Sequence, residues 1–147
     1  MKTLALPIFF CLGITALAAG SERRIAFERG NRVWIADLDG KAAKKITAGA
    51  LPDISPDRSR LAFNTDEDSK TRPGPERHIA VADLASGKIT IFKDIPSDNC
   101  FGPVWSPDGS KIAFSIMAEK EWQLGLVNAD GSGFRFVKNA ELKSDAF

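Results

Sequence analysis

Trp105-Ser-Pro-Asp-Gly-Ser-Lys-Ile-Ala-Phe114 repeats an earlier stretch, Ile54-Ser-Pro-Asp-Arg-Ser-Arg-Leu-Ala-Phe63, and its tail occurs a third time as Arg24-Ile-Ala-Phe27. Each copy leads into a second apolar run that ends in an acidic turn, so the unit is a repeating sheet rather than a single-core globule. The shared phenylalanines, 27, 63 and 114, lie 36 and 51 residues apart, whereas the turn positions Asp37, Asp83 and Asn128 lie 46 and 45 apart. The period is therefore about 45, the length of a four-stranded propeller blade. From each phenylalanine to the following turn the distances are 10, 20 and 14 residues. That variation is assigned to one loop of the unit, longest between Phe63 and Ile79, because loops absorb insertions and strands do not.

Period-2 alternation and β-branched content predict four strands per unit: in the last one Gly102 to Trp105, Lys111 to Ile116, Gln123 to Asn128 and Phe134 to Lys138. Ile112, Phe114 and Ile116 share one face of the second strand, and the small Ala113 and Ser115 share the other. Such a sheet suits stacking between two neighbours, one face bulky and one close-fitting. Leu61 with Phe63, and Ile25 with Phe27, are the equivalents. In Ser106-Pro107-Asp108-Gly109, proline fixes the first central φ of a turn, aspartate tolerates the second, and glycine takes the left-handed position that returns the strand. Arg58 replaces that glycine in the earlier copy, which predicts a left-handed arginine or a relaxed turn. Asp39-Gly40, Ser86-Gly87 and Asp130-Gly131 act likewise between the third and fourth strands.

The Trp-Ser-Pro-Asp-Gly-Ser-Lys-Ile-Ala-Phe phrase, an apolar strand and then Asn-Ala-Asp-Gly resemble the blade repeat of TolB-like β-propellers, over nearly all of the chain after residue 22. The resemblance implies an all-β, partial β-propeller of about three four-stranded antiparallel blades, approximately 22–49, 50–95 and 96–140, with the start of a further blade at 141–147. Ile54 in place of the blade tryptophan and Arg58 in place of the turn glycine are its departures. The resemblance further implies an exported, non-enzymatic module that binds a protein or peptide, in the manner of a periplasmic scaffold. The alternative is the amino-terminal propeller of a prolyl-oligopeptidase-type peptidase or of a propeller polysaccharide lyase. The first would reveal a serine-bearing α/β-hydrolase domain downstream, and the second clustered histidines projecting into the channel.

Residues 1–18 read as a secretory signal peptide: a basic start at Met1-Lys2, an apolar run from Leu4 to Ala18, and the small-x-small site Ala16-Leu17-Ala18. The run is too short to favour a spanning helix, so the mature chain, 19–147, is expected to be periplasmic or secreted with no stable membrane span. Without Lys2 the chain keeps 19 of its 20 basic residues against 19 acidic ones. A balanced chain lacks the basic face that nucleic acid requires. Cys100 is the one cysteine beyond the signal region, so no disulfide forms within the mature chain, and it reads as a small buried hydrophobe near the start of an inner strand.

About 128 residues remain after processing, and at about 45 per blade they supply just under three blades, whereas propellers close with about four to eight. Ser144-Asp-Ala-Phe147 aligns with Asp98-Asn-Cys-Phe101, which precedes the last inner strand, and the first unit lacks an inner strand because it enters at Arg24. A protein of roughly 250 to 350 residues is one expectation, and assembly of several copies is the other, with open blade faces prone to associate. Strand parity places the tight Pro-Asp-Gly and Asp-Gly turns on one side of the ring. The variable connections, Asn64 to His78, Lys93 to Gly102, Met117 to Trp122 and Asn139 onward, lie on the other, and binding residues favour such long loops over a rigid frame. Arg72, Arg77 and His78 on the longest connection, Asn99 on the second and Trp122 on the third are the candidate binding residues. The acidic run Asp66-Glu67-Asp68 lacks the alternating spacing and following glycine of a calcium loop. No cofactor or metal site is expected. A single histidine, with no Gly-x-Ser-x-Gly and no His-Glu-x-x-His, gives catalysis no foundation in these residues.

Overall fold

The computed structural model describes residues 23–69 and 73–138. The expected signal peptide, Arg72 and the start of a further blade at 141–147 lie outside them. Three antiparallel sheets follow one another along the chain. The first holds β1 (Arg24–Glu28), β2 (Arg32–Asp37) and β3 (Lys44–Ala48) in that order. The second is four-stranded, with β4 (Ala50–Ile54), β5 (Arg60–Asn64), β8 (Ile79–Asp83) and β9 (Ile89–Ile91). The third runs β10 (Cys100–Trp105), β11 (Lys111–Ala118), β12 (Glu121–Asn128) and β13 (Arg135–Phe136). These are blades 1, 2 and 3. β4 lies against both β1 and β10, as inner strands ranged around a propeller axis do. Between β5 and β8 the small ribbon β6 (Glu67–Asp68) and β7 (Pro75–Glu76) is inserted.

Burial follows from stacking. β5 is covered along its length, because Leu61 and Phe63 point into a core with Val33, Ile35, Ala80 and Ala82, while Ala62 points into a second core with Ile79, Val81, Ile112, Phe114 and Ile116. In β11 only alternate residues are covered: Ile112, Phe114 and Ile116 are buried and Ser115 is exposed. One strand therefore feeds two cores where blades lie on both sides, and one core where a blade lies on one side. The predicted bulky and close-fitting faces are those that mate.

Turn chemistry positions the strands. Gly109 (φ 69) and Arg58 (φ 63) are both left-handed, and each donates its N–H to the serine carbonyl that opens the turn, Ser106 and Ser55, at 2.8 Å. In blades 2 and 3 the turns at one end are bonded together, Leu84 N to Ser59 O and Ala129 N to Ser110 O, both 2.9 Å. This puts the connections after the first and third strands of a blade on a common side, as parity requires.

Two readings of the sequence need correction. The stretch Met117 to Trp122 is not a variable loop: β11 and β12 pair up to Ala118 and Glu121, and Glu119 (φ 52) and Lys120 (φ 69) form a two-residue turn of the type that needs two positive φ values. Blade 1 makes the same turn with Gly30 and Asn31. The extra four residues between Phe114 and Asn128, relative to Phe27 and Asp37, thus lengthen a hairpin by two residues on each strand, which preserves the face alternation. The second correction concerns Gly102, which does not end a loop but lies in a bulge within β10.

Candidate functional site

The two long connections meet at the end of the blades opposite the tight turns. The insertion continues the β5–β8 hairpin outward. Thr65 N donates to His78 O at 2.9 Å, Thr65 Oγ1 accepts from His78 N at 2.9 Å, and Arg77 Nε pairs with Asp66 Oδ1 at 3.2 Å. β6 and β7 then extend the ribbon, capped by a hydrogen bond from the Ser69 hydroxyl to Glu76. The sequence marked Asn64 to His78 only as a variable connection. Two prolines and an acidic run carry no strand signal, and the ribbon arises because Asp66 and Arg77 sit opposite each other on an existing hairpin.

The second connection is clasped to the first. Arg77 N donates to Asp98 O at 2.7 Å, and Cys100 N donates to Arg77 O at 2.8 Å. Asn99 lies between them: its N–H bonds the Ser97 hydroxyl at 3.1 Å, its carbonyl accepts from Met117 N at 3.0 Å, and its Oδ1 is buried without a partner among the described residues. The Arg77 guanidinium also stands over the Phe101 ring, 5.9 Å from its centroid. The structure thus brings Arg77, His78 and Asn99 together, with Arg77 half-buried by its ion pair and its ring contact rather than free in solvent.

Trp122 meets this cluster through Phe101, against whose ring its own is tilted 60° at 6.4 Å; it is 54% exposed and lies on the uncovered face of blade 3. Of the other tryptophans, Trp105 is buried, while Trp34 stacks on Phe27 with centroids 6.4 Å apart on the uncovered face of blade 1. Cys100 is fully buried at the start of β10, and burial together with the Asp98 carboxylate pushes its thiol up to about 12, far from thiolate chemistry at neutral pH.

Asn64 was missed by sequence reading. Its amide is fully buried, donating to Cys100 O at 2.6 Å and accepting from Gly102 N at 2.8 Å, so it holds the inner strand of blade 3 to the second strand of blade 2. Glu28, at the same repeat position, accepts from Leu51 N at 3.4 Å, and Leu51 (φ 50) is the bulge residue equivalent to Gly102 (φ 63). A polar residue after the repeated phenylalanine was the available signal. Asp53 supplies a second tie, accepting from Trp105 N at 2.7 Å through its carboxylate and from Trp105 Nε1 at 3.1 Å through its carbonyl.

No protein-family model matches the chain. The protein TolB homolog of Chlorobaculum tepidum is 30% identical over 141 residues, 87% of this chain and 30% of that protein. The Tol-Pal system protein TolB of Anaeromyxobacter dehalogenans is 38% identical over 69 residues, 40% of this chain and 16% of that protein. The chain therefore spans less than a third of the length of these relatives. Among solved structures, TolB from Acinetobacter baumannii superimposes with a TM-score of 0.65 at 21% identity, covering 79% of this chain and 30% of that one. Dipeptidyl peptidase 4 of Porphyromonas gingivalis gives a TM-score of 0.60 at 12% identity, covering 78% and 24%. At such identities the structures speak for the fold alone, and the fold is that of β-propeller blades. Within that class the chain is a TolB-like β-propeller, of which the described residues supply three blades.

Proposed function

We propose that the chain is an exported, non-enzymatic propeller module, periplasmic or secreted, that binds a protein or peptide partner at its loop-rich end. The carrying observation is the clasp between the two long connections. Backbone bonds from Arg77 to Asp98 and from Cys100 to Arg77 fix two variable segments into one ordered surface over a rigid frame, whereas the opposite end is closed by short turns bonded to themselves. Arg77, His78 and Asn99, with Arg72 on the same connection, are the residues assigned to contact. The similarity to proteins named for the Tol-Pal system supports a partner-binding role. Among the described residues no helix is long and apolar enough to cross a membrane.

The test places a photo-crosslinking residue at Arg72 or His78, and for contrast at Asp39 or Ser86 on the turn end, in the chain expressed in a Gram-negative cell. A discrete protein adduct from the first pair only, in the exported fraction, is the expected result. Adducts from the turn end, or retention of the chain in the cytoplasm, would overturn the reading. A serine-bearing α/β-hydrolase domain encoded downstream of these blades would favour the peptidase alternative, whose propellers share this fold.

A further inference from the structure

Each blade ends in an outer strand whose far side has no neighbour in its sheet: β3, β9 and β13. Two of these edges are guarded. β3 opens with Lys44 and Lys45, and β13 is two residues long and begins at Arg135. β9 is Ile89-Thr90-Ile91, uncharged, β-branched throughout and exposed, with Ile89 at 40% and Ile91 at 36%. It belongs to the blade that has a neighbour on either side. Phe92 N donates to Ile79 O and Asp83 N to Lys88 O, both at 2.9 Å, which sets the alternation of the ladder. The backbone groups of Lys88, Thr90 and Phe92 therefore turn inward to β8, and the N–H and C=O of Ile89 and Ile91 turn outward.

The two sides of β9 differ in chemistry. Ile89 and Ile91 stand opposite Ala82 and Ala80 on the side of blade 1, and Thr90 stands opposite Val81 on the side of blade 3. Beside Thr90 a groove runs between blades 2 and 3 as two adjoining cavities of about 340 and 320 Å³, which share Thr90, Phe92 and Asp130. Its charges are unevenly met. Asp83 accepts from the N–H and hydroxyl of Ser86, Asp130 accepts from those of Ser132, and the Arg60 guanidinium is turned onto the Trp105 ring, 4.6 Å from its centroid. That leaves two lysines, Lys88 in one cavity and Lys93 in the other, against a single carboxylate, Asp94. We infer that the outer edge of β9 takes an extended segment of a partner protein as an added antiparallel strand, with apolar residues opposite Ile89 and Ile91 and an acidic residue between them. Only an extended chain offers donors and acceptors at the two-residue repeat of the free backbone groups. Residues opposite Ile89 and Ile91 share their side of the sheet and cover their exposed side chains, while the residue between them lies opposite Thr90, over the groove that holds Lys88 and Lys93. Main-chain bonds supply the affinity and the alternate side chains the selectivity. The surface is distinct from the loop-rich end, and the inference is independent of the reading given for that end.

Titration of the isotope-labelled chain with the peptide acetyl-Thr-Val-Glu-Val-Thr-amide, to about 1 mM, tests it by amide NMR, since a strand of so few bonds binds weakly. The expected result is saturable shifts and slowed hydrogen exchange at the Ile89 and Ile91 amides, with Arg77 and Asn99 unmoved. Methylating both valine nitrogens of the peptide removes its donors without touching the protein and should abolish these shifts. Replacing the central glutamate by lysine should weaken binding by about five-fold, because the groove then opposes like charges. Ile91→Pro removes one outward N–H at an edge position where proline fits, leaves the bonds to β8 in place, and should weaken binding about five-fold. Shifts centred away from β9, no shifts at all, or undiminished binding of the methylated peptide would overturn the inference. So would protection of the Ile89 and Ile91 amides that rises with chain concentration before peptide is added, which would mean that a second copy holds the edge.

Discussion

Arg58 and Gly109 hold the same left-handed position in two copies of one turn, at φ 63 and 69, so the repeat supplies its own control for the strain of a side chain there. A Cβ built on Gly109 would meet Pro56 Cδ at 3.6 Å, an ordinary contact. Gly109→Ala should therefore cost only the conformational penalty, about 1 kcal/mol by chemical denaturation. The aspartates of these turns carry the acid sensitivity. The Ser55 hydroxyl, then the hydroxyl and N–H of Ser59, hold Asp57 down to about 2; the Ser106 hydroxyl and the Ser110 N–H and hydroxyl do the same for Asp108. Both folded values lie below the ordinary 3.8, so the charged form is favoured by folding. The stability this brings is present above about pH 4 and is lost as pH falls from about 4 towards 2. Asp57→Asn with Asp108→Asn should flatten the acid limb of a stability-against-pH curve in that window. An unchanged limb would mean that the hydroxyl bonds do not hold in solution.

Elements in this chain are joined by a few specific devices, and the sequence reveals them unevenly. Ser-Pro-Asp-Gly and Asp-Gly announce their turns, because proline and glycine restrict or release φ in ways legible from residue type. Glu119-Lys120 announces nothing: the register of a long hairpin imposes two left-handed residues that neither side chain favours. Replacing the pair by Asn-Gly, whose residues adopt that turn readily, should stabilise the chain by about 1 kcal/mol and raise its thermal midpoint. The Asn64 latch was hidden for another reason: its partners are backbone groups of a strand 36 residues away, and no local pattern encodes them. Asn64→Ala leaves the buried Cys100 O and the half-buried Gly102 N without their partner and should cost about 3 kcal/mol. Hydrogen exchange should then show faster opening of β10 than of β1 and β2.

Across the whole molecule, the blade count, strand order and mating faces were readable because one phrase is written twice, its tail a third time, and stacking gives each copy the same task. The loop-rich end was not readable at that level, since the 65–78 ribbon and its clasp to 93–99 occur once and a single instance offers no internal comparison. Repetition also yields the sharpest test of how the chain holds together. Phe27, Phe63 and Phe114 are the same residue at the same blade position, but Phe63 and Phe114 are 1% and 2% exposed between blades, while Phe27 is half-buried on an uncovered face. Since each blade is stabilised only by its neighbours, the cost of truncation should track the interface and not the residue. Phe63→Ala and Phe114→Ala should each cost about 3 to 5 kcal/mol, and Phe27→Ala about 1, in urea denaturation at a concentration where the chain is a monomer. A penalty for Phe27→Ala equal to that of Phe63→Ala in dilute solution would mean that an element outside the described residues covers blade 1.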